Sequence, residues 1–510
     1  MLTLKGKIRT LEELQQIIAD LELAGKKVVH CHGVFDLLHI GHIKHFEEAK
    51  TFGDVLVVTI TPDEFVNKGP NRPAFKTKLR LEALAALESV DYVAANKWPT
   101  AFETIKKLKP AIYCKGPDYK NHADDVTGKI NEEKEAVKSV DGEIRYTEDI
   151  TYSSSNLLNK LGDVFDESQK SFIKNLLQGQ DFDDIKDRLD DLINLKVLVI
   201  GETIIDQYVF CEALGKSGKE PVLVLRDLGM DQYAGGAAAI ARHLSDFCGT
   251  VSLLSMLGEN KKYESFVLES LPENVRPNFI YKEASPTITK KRFVDNISKS
   301  KSLGVYSIND AQMNSANKDR FNSYLNDLIP QHDLVIVSDY GHGFISRETA
   351  NHISKQSIFI SLNAQINAAN IGYHTMNNYC NIDCAIINET ELRHELRDRE
   401  SGVEELMKEL AGNLKTKNLV VTQGSGGATL YVSDTEKYHS CPAFAAKVVD
   451  KIGAGDAMLA LLSCSLKNGF DPDLSLFLGS LAAAQSVETI GNSTPVNKVQ
   501  LLKTFSHAIK

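Results

Sequence analysis

Two passages of this chain share one pattern: a short apolar run, a glycine-bearing turn, and the start of a helix. The first follows Lys26-Lys27-Val28-Val29-His30-Cys31 and reads Gly33-Val34-Phe35-Asp36-Leu37-Leu38-His39-Ile40-Gly41-His42. The second follows Val448-Val449-Asp450 and reads Lys451-Ile452-Gly453-Ala454-Gly455-Asp456, with an apolar helix from 457 to 462. A strand that feeds a helix in this way commits the chain to parallel βαβ units. It also leaves the first helical N–H groups unpaired at the positive end of the dipole, where an anion is welcome. With 510 residues there is room for each passage to sit in its own domain.

The intervening sequence supports that division. After the first turn, a helix over 38–50 ends at Gly53, a candidate C′ residue, and a strand follows over 55–60. A helix over 79–87 and a strand over 111–114 continue the alternation to about residue 159. The stretch 162–194 is acidic, has no strand signal and repeats its apolar residues at helical spacing, so we read it as a helical connector with a solvated face. A second block opens with Val197-Leu198-Val199-Ile200-Gly201 and adds apolar runs at 334–337, 385–387 and 419–421. The expectation is an α/β protein of two doubly wound domains, with segments 1–160, 161–193 and 194–510.

Charge and cysteine usage narrow the function. With 58 basic and 68 acidic residues the net charge is −10, which disfavours nucleic-acid binding through bulk charge. No apolar run spans a bilayer, and residues 1–9 lack the apolar core of a secretory leader. The eight cysteines are scattered; Cys380 and Cys384 have no second Cys/His pair at zinc spacing nearby. Free thiols in a reducing cytoplasm are expected, with small molecules as partners and neither membrane nor nucleic acid.

His39 and His42 stand three apart and share a helix face, and Gly41 lets a phosphate approach the backbone. Two imidazoles there can donate to a phosphate whose charge grows during displacement. Two unliganded helix histidines are the plainer alternative; the position after a first strand and a Gly-x-Phe-Asp turn favours the phosphate. Residues 25–160 resemble the cytidylyltransferase-like nucleotidyltransferases. The matching elements are Gly33-Val34-Phe35-Asp36, His39 to His42 with Lys44, Gly53-Asp54-Val55-Leu56-Val57-Val58, Lys68-Gly69, Arg72-Pro73, Arg80, Lys115-Gly116-Pro117-Asp118-Tyr119 and Ser153-Ser154-Ser155. Within that family the heptose-1-phosphate nucleotidyltransferases are nearest, and the glycerol-3-phosphate cytidylyltransferases second. The resemblance implies a HIGH-type, Rossmann-like domain. In it ATP or CTP lies along Gly33, Phe35, Gly41 and Arg80, with its outer phosphates on Ser153 and Ser154. His39 and His42 would stabilise the five-coordinate phosphorus, Lys44 would add a point charge, Lys115 and Asp118 would meet the sugar phosphate, and Mg²⁺ would screen the triphosphate. Class I aminoacyl-tRNA synthetases also carry a His-Ile-Gly-His element, but this chain has no Lys-Met-Ser-Lys-Ser-type loop and a negative charge.

In the second passage, consecutive glycine-rich N–H groups make an anion hole, and Asp456 can take a proton from an attacking hydroxyl. An aspartate normally ionised at neutral pH needs that proton only late, as the bond to phosphorus forms. An N-capping aspartate in a tight turn is the alternative. Residues 195–505 resemble the ribokinase-like (PfkB) carbohydrate kinases. The motifs are Gly201-Glu202-Thr203-Ile204-Ile205-Asp206, Gly235-Gly236-Ala237-Ala238, Asn388-Glu389-Thr390-Glu391, Thr422-Gln423-Gly424-Ser425-Gly426-Gly427 and Gly453-Ala454-Gly455-Asp456. The resemblance implies Asp456 as catalytic base and the Gly453, Ala454 and Gly455 amides as anion hole. Asn388 and Glu391 would organise Mg²⁺ through waters, Thr422, Gly424 and Gly427 would lie along ATP, and Asp206, Gly235 and Gly236 would meet sugar hydroxyls. It also implies a small β lid near 220–235, through which such domains often dimerise.

Pro286 to Arg292 and Ser338-Asp339-Tyr340-Gly341-His342-Gly343 look most like heptose-7-phosphate kinase. Lys290 and Arg292 would then bind the substrate's existing phosphate, with plain surface charge as the alternative. The chain departs from that pattern in three places. His342 stands where lysine is usual, Ser361-Leu362-Asn363 replaces Asp-Pro-Lys, and Ile452 replaces threonine, so two cations expected near the substrates are missing. The order of domains is also reversed relative to the familiar bifunctional heptose enzyme. Together the halves imply a bifunctional enzyme of nucleotide-sugar synthesis. A non-sugar polyol phosphate as substrate, or a catalytically silent nucleotide sensor, are the alternatives, and the intact His39, His42 and Asp456 weigh against the last.

Overall fold

The computed structural model describes residues 4–66, 73–116, 130–147, 165–178, 182–367 and 369–509. The chain divides into two compact units, the first covering 1–164 with 502–508 of the final helix, the second covering 165–501.

The first unit is built on five parallel strands: β1 (Val28–Gly33), β2 (Val55–Ile60), β3 (Tyr92–Ala95), β4 (Ile112–Lys115) and β5 (Glu143–Tyr146). Their order is β3-β2-β1-β4-β5. Val28, Val29, His30 and Cys31 are all buried, as expected of a strand covered on both faces. The strand order reverses between β1 and β4, and ligands of such sheets bind beyond the carboxyl ends of the strands at that point. The helix expected over 38–50 runs Ile40–Thr51, with His39 as its N-cap. Gly53 does follow the C-cap, but its backbone is not left-handed. A Cβ there would lie 2.7 Å from the Lys27 carbonyl oxygen, so close approach to β1 is what requires glycine.

The second unit contains β6 (Lys196–Lys216), β7 (Leu223–Gly236), β8 (Thr250–Gly258), β9 (Val275–Lys282), β10 (Thr289–Asp295) and β11 (Lys301–Ser307). These are followed by β12 (Leu334–Asp339), β13 (Phe359–Ala364), β14 (Cys384–Asn388), β15 (Asn418–Thr422), β16 (Ala428–Val432) and β17 (Lys437–Cys441). The unusual element is β6. Its residues 196–202 pair in parallel with β8 and 197–201 with β12, inside the central sheet. From Thr203 onward it pairs antiparallel with β7, and from Ile205 in parallel with β10. The outer half of β6 thus forms a second, smaller sheet with β7, β10 and β11. This lid takes in more than the expected 220–235, since β10 and β11 belong to it. Helices Ala454–Lys467 and Pro472–Val487 are buried over 457–465 and 474–482.

The acidic stretch forms helices Glu167–Leu176 and Phe182–Asp191. Phe172 packs against Phe477 at 5.8 Å, and Ile185 and Leu189 are buried, so both helices belong to the second compact unit. Among the described residues no helix is long and apolar enough to cross a membrane.

Candidate active sites

In the first unit the His39 Nδ1 atom accepts the Gly41 N–H at 3.1 Å, which places the ring proton on Nε2. The His39 and His42 rings stack with centroids 3.9 Å apart. Phe35, at φ 45°, puts its ring edge-on to His42 at 5.3 Å and to Phe46 at 4.9 Å. A Cβ on Gly33 would meet that ring at 2.9 Å. Phe35 and Gly33, expected along the nucleotide, therefore shape the floor that holds His42 in place.

Other expected residues have different work. Arg80 is 1% exposed, and its five N–H groups are all matched by protein acceptors: the carbonyls of Phe75, Val34 and Thr61, Asp63 Oδ1, and Thr77 Oγ1. It staples the loops around the site and has no donor left for a nucleotide. Lys44 is an exposed side chain 3.7 Å from Glu47, about 200° around the helix from His42. Lys115 is buried and ion-paired with Glu133 at 2.7 Å. Asp118, Ser153 and Ser154, like Lys68, Gly69 and Arg72, lie outside the described residues. A histidine cluster outside the expected site residues lies on β1. His30 Nε2 and His32 Nδ1 each lie 2.8 Å from Thr59 Oγ1, and burial holds His30 neutral, down to about 3. The alternation of His30, Cys31 and His32 along β1 was the available signal.

In the second unit, Gly453 caps helix Ala454–Lys467 at φ 92°, with no side chain capping the free N–H groups. A Cβ there would stand 2.0 Å from Asn492 Oδ1, so glycine is required on both counts. Asp456, in the first turn, accepts a hydrogen bond from Tyr340 Oη at 2.8 Å. Burial pushes its carboxyl up to about 7, against the pull of Tyr340 and the nearby Lys290. A carboxylate that is normally ionised at neutrality is here poised to hold or release a proton. Tyr340 was not foreseen.

The acceptor side is built on the lid. Asp206 forms an ion pair with Arg292, and a Cβ on Gly235 would sit 2.3 Å from Asp206 Oδ2. Gly236 takes φ 63° above the Glu202 carbonyl. Lys290 is buried, which lowers its pKa, and lies 5.5 Å from the Tyr340 ring centre. Lys290, Asp206 and Asp456 are thus brought together, while Arg292 is engaged by Asp206 and less available to a substrate phosphate. On the nucleotide side, Thr422 ends β15 and the exposed turn Gly424–Gly426 follows; Gly424 and Gly427 have φ of 59° and 91°. Asn388 and Glu391 form a reciprocal capping box on helix Glu389–Leu396. Burial pushes Glu391 up to about 7, and among the described residues no lysine or arginine pairs with it. An amide oxygen and a carboxylate lacking a countercharge suit a hard cation reached through water.

Comparison with known proteins resolves the kinship. Residues 194–499 match the model of the pfkB family carbohydrate kinases, and residues 30–160 the cytidylyltransferase-like model. The chain belongs to the pfkB family. The phosphofructokinase-2 of Escherichia coli in complex with potassium superposes with a TM-score of 0.51, covering 62% of this chain and 100% of that one at 15% identity. The same enzyme in complex with substrates and products gives 0.50 at 17% identity, with the same coverage. At such identity the match shows the fold alone. Among curated relatives, the Bifunctional protein HldE of Aliarcobacter butzleri (strain RM4018) is 44% identical over 138 residues, 26% of this chain and 29% of that protein. That of Geobacter sulfurreducens (strain ATCC 51573 / DSM 12127 / PCA) is 35% identical over 165 residues, 32% of each. The alignments thus span about a third of these relatives or less.

The departures from the family pattern are accommodated locally. His342 is buried with Nδ1 2.7 Å from Asp310, and Asn363 donates to the Ile386 carbonyl at 2.9 Å. Beside His342 stands an unforeseen cation. Lys282, at the end of β9, is buried and donates to the His342 carbonyl at 3.0 Å. A positive charge therefore reaches this loop from another strand, although positions 342 and 363 themselves carry no cationic lysine.

Proposed function

We propose that this protein is a bifunctional enzyme of nucleotide-sugar synthesis, with segments 1–160 as nucleotidyltransferase, 161–193 as connector and 194–510 as kinase. The observation that carries the reading is Asp456: a half-buried carboxyl raised to about 7, at a helix start with no side-chain cap, facing a lid that presents Asp206 and Lys290. An acceptor hydroxyl held by Asp206 attacks the γ-phosphorus of ATP. The new O–P bond forms as the bond to the β-phosphate oxygen breaks, ADP leaves, and the hydroxyl proton passes to Asp456. The Gly453, Ala454 and Gly455 amides receive the charge on the transferred group. Lys290 supports a sugar phosphate related to heptose-7-phosphate. Asn388 and Glu391 would hold Mg²⁺ through waters, where it would supply neutralisation of the polyphosphate charge.

In the first unit a sugar 1-phosphate oxygen attacks the α-phosphorus of ATP or CTP, and the bond to the leaving pyrophosphate breaks. No base is needed, because the nucleophile is already ionised. His39 Nε2–H and His42 stabilise the added negative charge. The partners are small molecules, and a reducing cytoplasm suits the eight free cysteines.

The test is product mass spectrometry on the full chain with a panel of sugars, sugar phosphates and glycerol phosphates, with ATP and CTP supplied separately. Mass gain of one phosphoryl group on a heptose phosphate, and of one nucleotidyl group on a heptose 1-phosphate, is expected. Turnover confined to glycerol derivatives would move the enzyme to polyol chemistry.

The lid exposes Leu214, Leu223, Leu228, Met230, Leu303 and Val305, more apolar surface than a small free sheet ordinarily leaves to water. We read it as the homodimer face. Light scattering at micromolar concentration should report a dimer that Leu303→Asp with Val305→Asp converts to monomer. A wild-type monomer under the same conditions would remove this assignment.

A further inference from the structure

The first unit holds a set of donors that nucleotidyl transfer does not use. Cys31 of β1 and Cys114 of β4 are Cα partners across the two strands that flank the switch point. His45, on helix Ile40–Thr51, joins them: one ligand atom from each residue, two sulfurs and a ring nitrogen, all lie within 4.8 Å of one another. Both thiols are buried and the imidazole is partly so. His45 Nδ1 is 2.9 Å from Thr147 Oγ1, so Nε2 is the ring nitrogen to serve as ligand.

We infer that Cys31, Cys114 and His45 form a three-ligand site for a thiophilic, zinc-class divalent cation, with a fourth position for water or a substrate oxygen. Two thiolates and an imidazole select such an ion over Mg²⁺, which takes oxygen ligands. Zn–S bonds of about 2.3 Å at the tetrahedral angle put the two sulfurs about 3.8 Å apart. The observed spacing closes to that with a shift of about 1 Å or less. Thr147 supplies the partner that a ligating histidine uses to fix its ring. The charge also balances. Two thiols release two protons as the dication binds two thiolates and a neutral imidazole, so the buried site stays neutral. The nearest ammonium, Lys115, is paired with Glu133. The ion would tie β1, β4 and the histidine-bearing helix together under the nucleotide crevice, a role apart from Mg²⁺ on the triphosphate.

The experiment titrates Co²⁺ into the reduced, chelator-stripped full chain. One equivalent should bind with sulfur-to-cobalt charge-transfer absorption, be displaced by one equivalent of Zn²⁺, and resist excess Mg²⁺. Cys31→Ser with Cys114→Ser should abolish the band, whereas Cys380→Ser should leave it intact. His45→Gln should keep a sulfur band but weaken binding about 10–100-fold or more. Because core serines can unfold the unit, slow alkylation of the buried thiols of the wild-type chain through local opening gives a second reading: Zn²⁺ should lower the labelling rate of Cys31 and Cys114, followed by mass spectrometry over hours with and without the ion. Absence of saturable uptake, a band retained in the folded double variant, or no protection of the two thiols would each overturn the site.

Discussion

Asp456→Asn is expected to lower phosphoryl transfer by about 10²–10⁴-fold while pyrophosphate release by the first unit continues. The amide keeps the shape and the contact with Tyr340 but cannot take a proton. In the unaltered chain, kinase kcat/KM should rise with pH through a midpoint near 7. The base must be ionised to work, and burial raises its pKa, so acid below 7 removes the active form. Tyr340→Phe deletes a donor that stabilises the carboxylate, and the midpoint should move further up. Coupled ADP assays over pH 5–9 read both effects. A midpoint near 4, the ordinary carboxylate value, or an undiminished Asp456→Asn rate would refute the assignment of the base.

His42→Ala should cost nucleotidyl transfer about 10²–10³-fold, read as pyrophosphate release, with ATP consumption by the kinase unit unchanged. His39 needs a finer substitution, because its Nδ1 also caps the helix. Asparagine caps as well as most residues, so His39→Asn should preserve the helix start yet lose the Nε2 donor and fall by a similar factor. The stacked rings should act as a unit, so the double variant should lose less than the product of the two single losses. Full pyrophosphate release from either single variant would remove the imidazoles from the mechanism.

The strand–turn–helix passages were legible because their glycines and polar caps obey local rules. His39 and Gly453 stand where a helix start needs a cap or a left-handed turn. Residues whose role depends on distant partners were not. Arg80 looks like a nucleotide-binding cation until five acceptors, scattered from Val34 to Thr77, are seen around it. Lys282 carries no local motif, and its place beside His342 follows from sheet order alone. Tyr340 meets Asp456 only because β12 and the Gly453 turn converge at the same end of the sheet. The lid was underestimated for the same reason, since the pairing of β10 with β6 cannot be read from either strand by itself.

Because β6 serves the central sheet with one half and the lid with the other, the smaller sheet is no detachable cassette. Grafting another kinase's lid onto this protein would require cutting a core strand between Glu202 and Ile205, where Glu202 also receives the backbone N–H groups of Tyr340 and His342. Engineers who want to change the acceptor should therefore exchange side chains on the lid face and leave the strand whole.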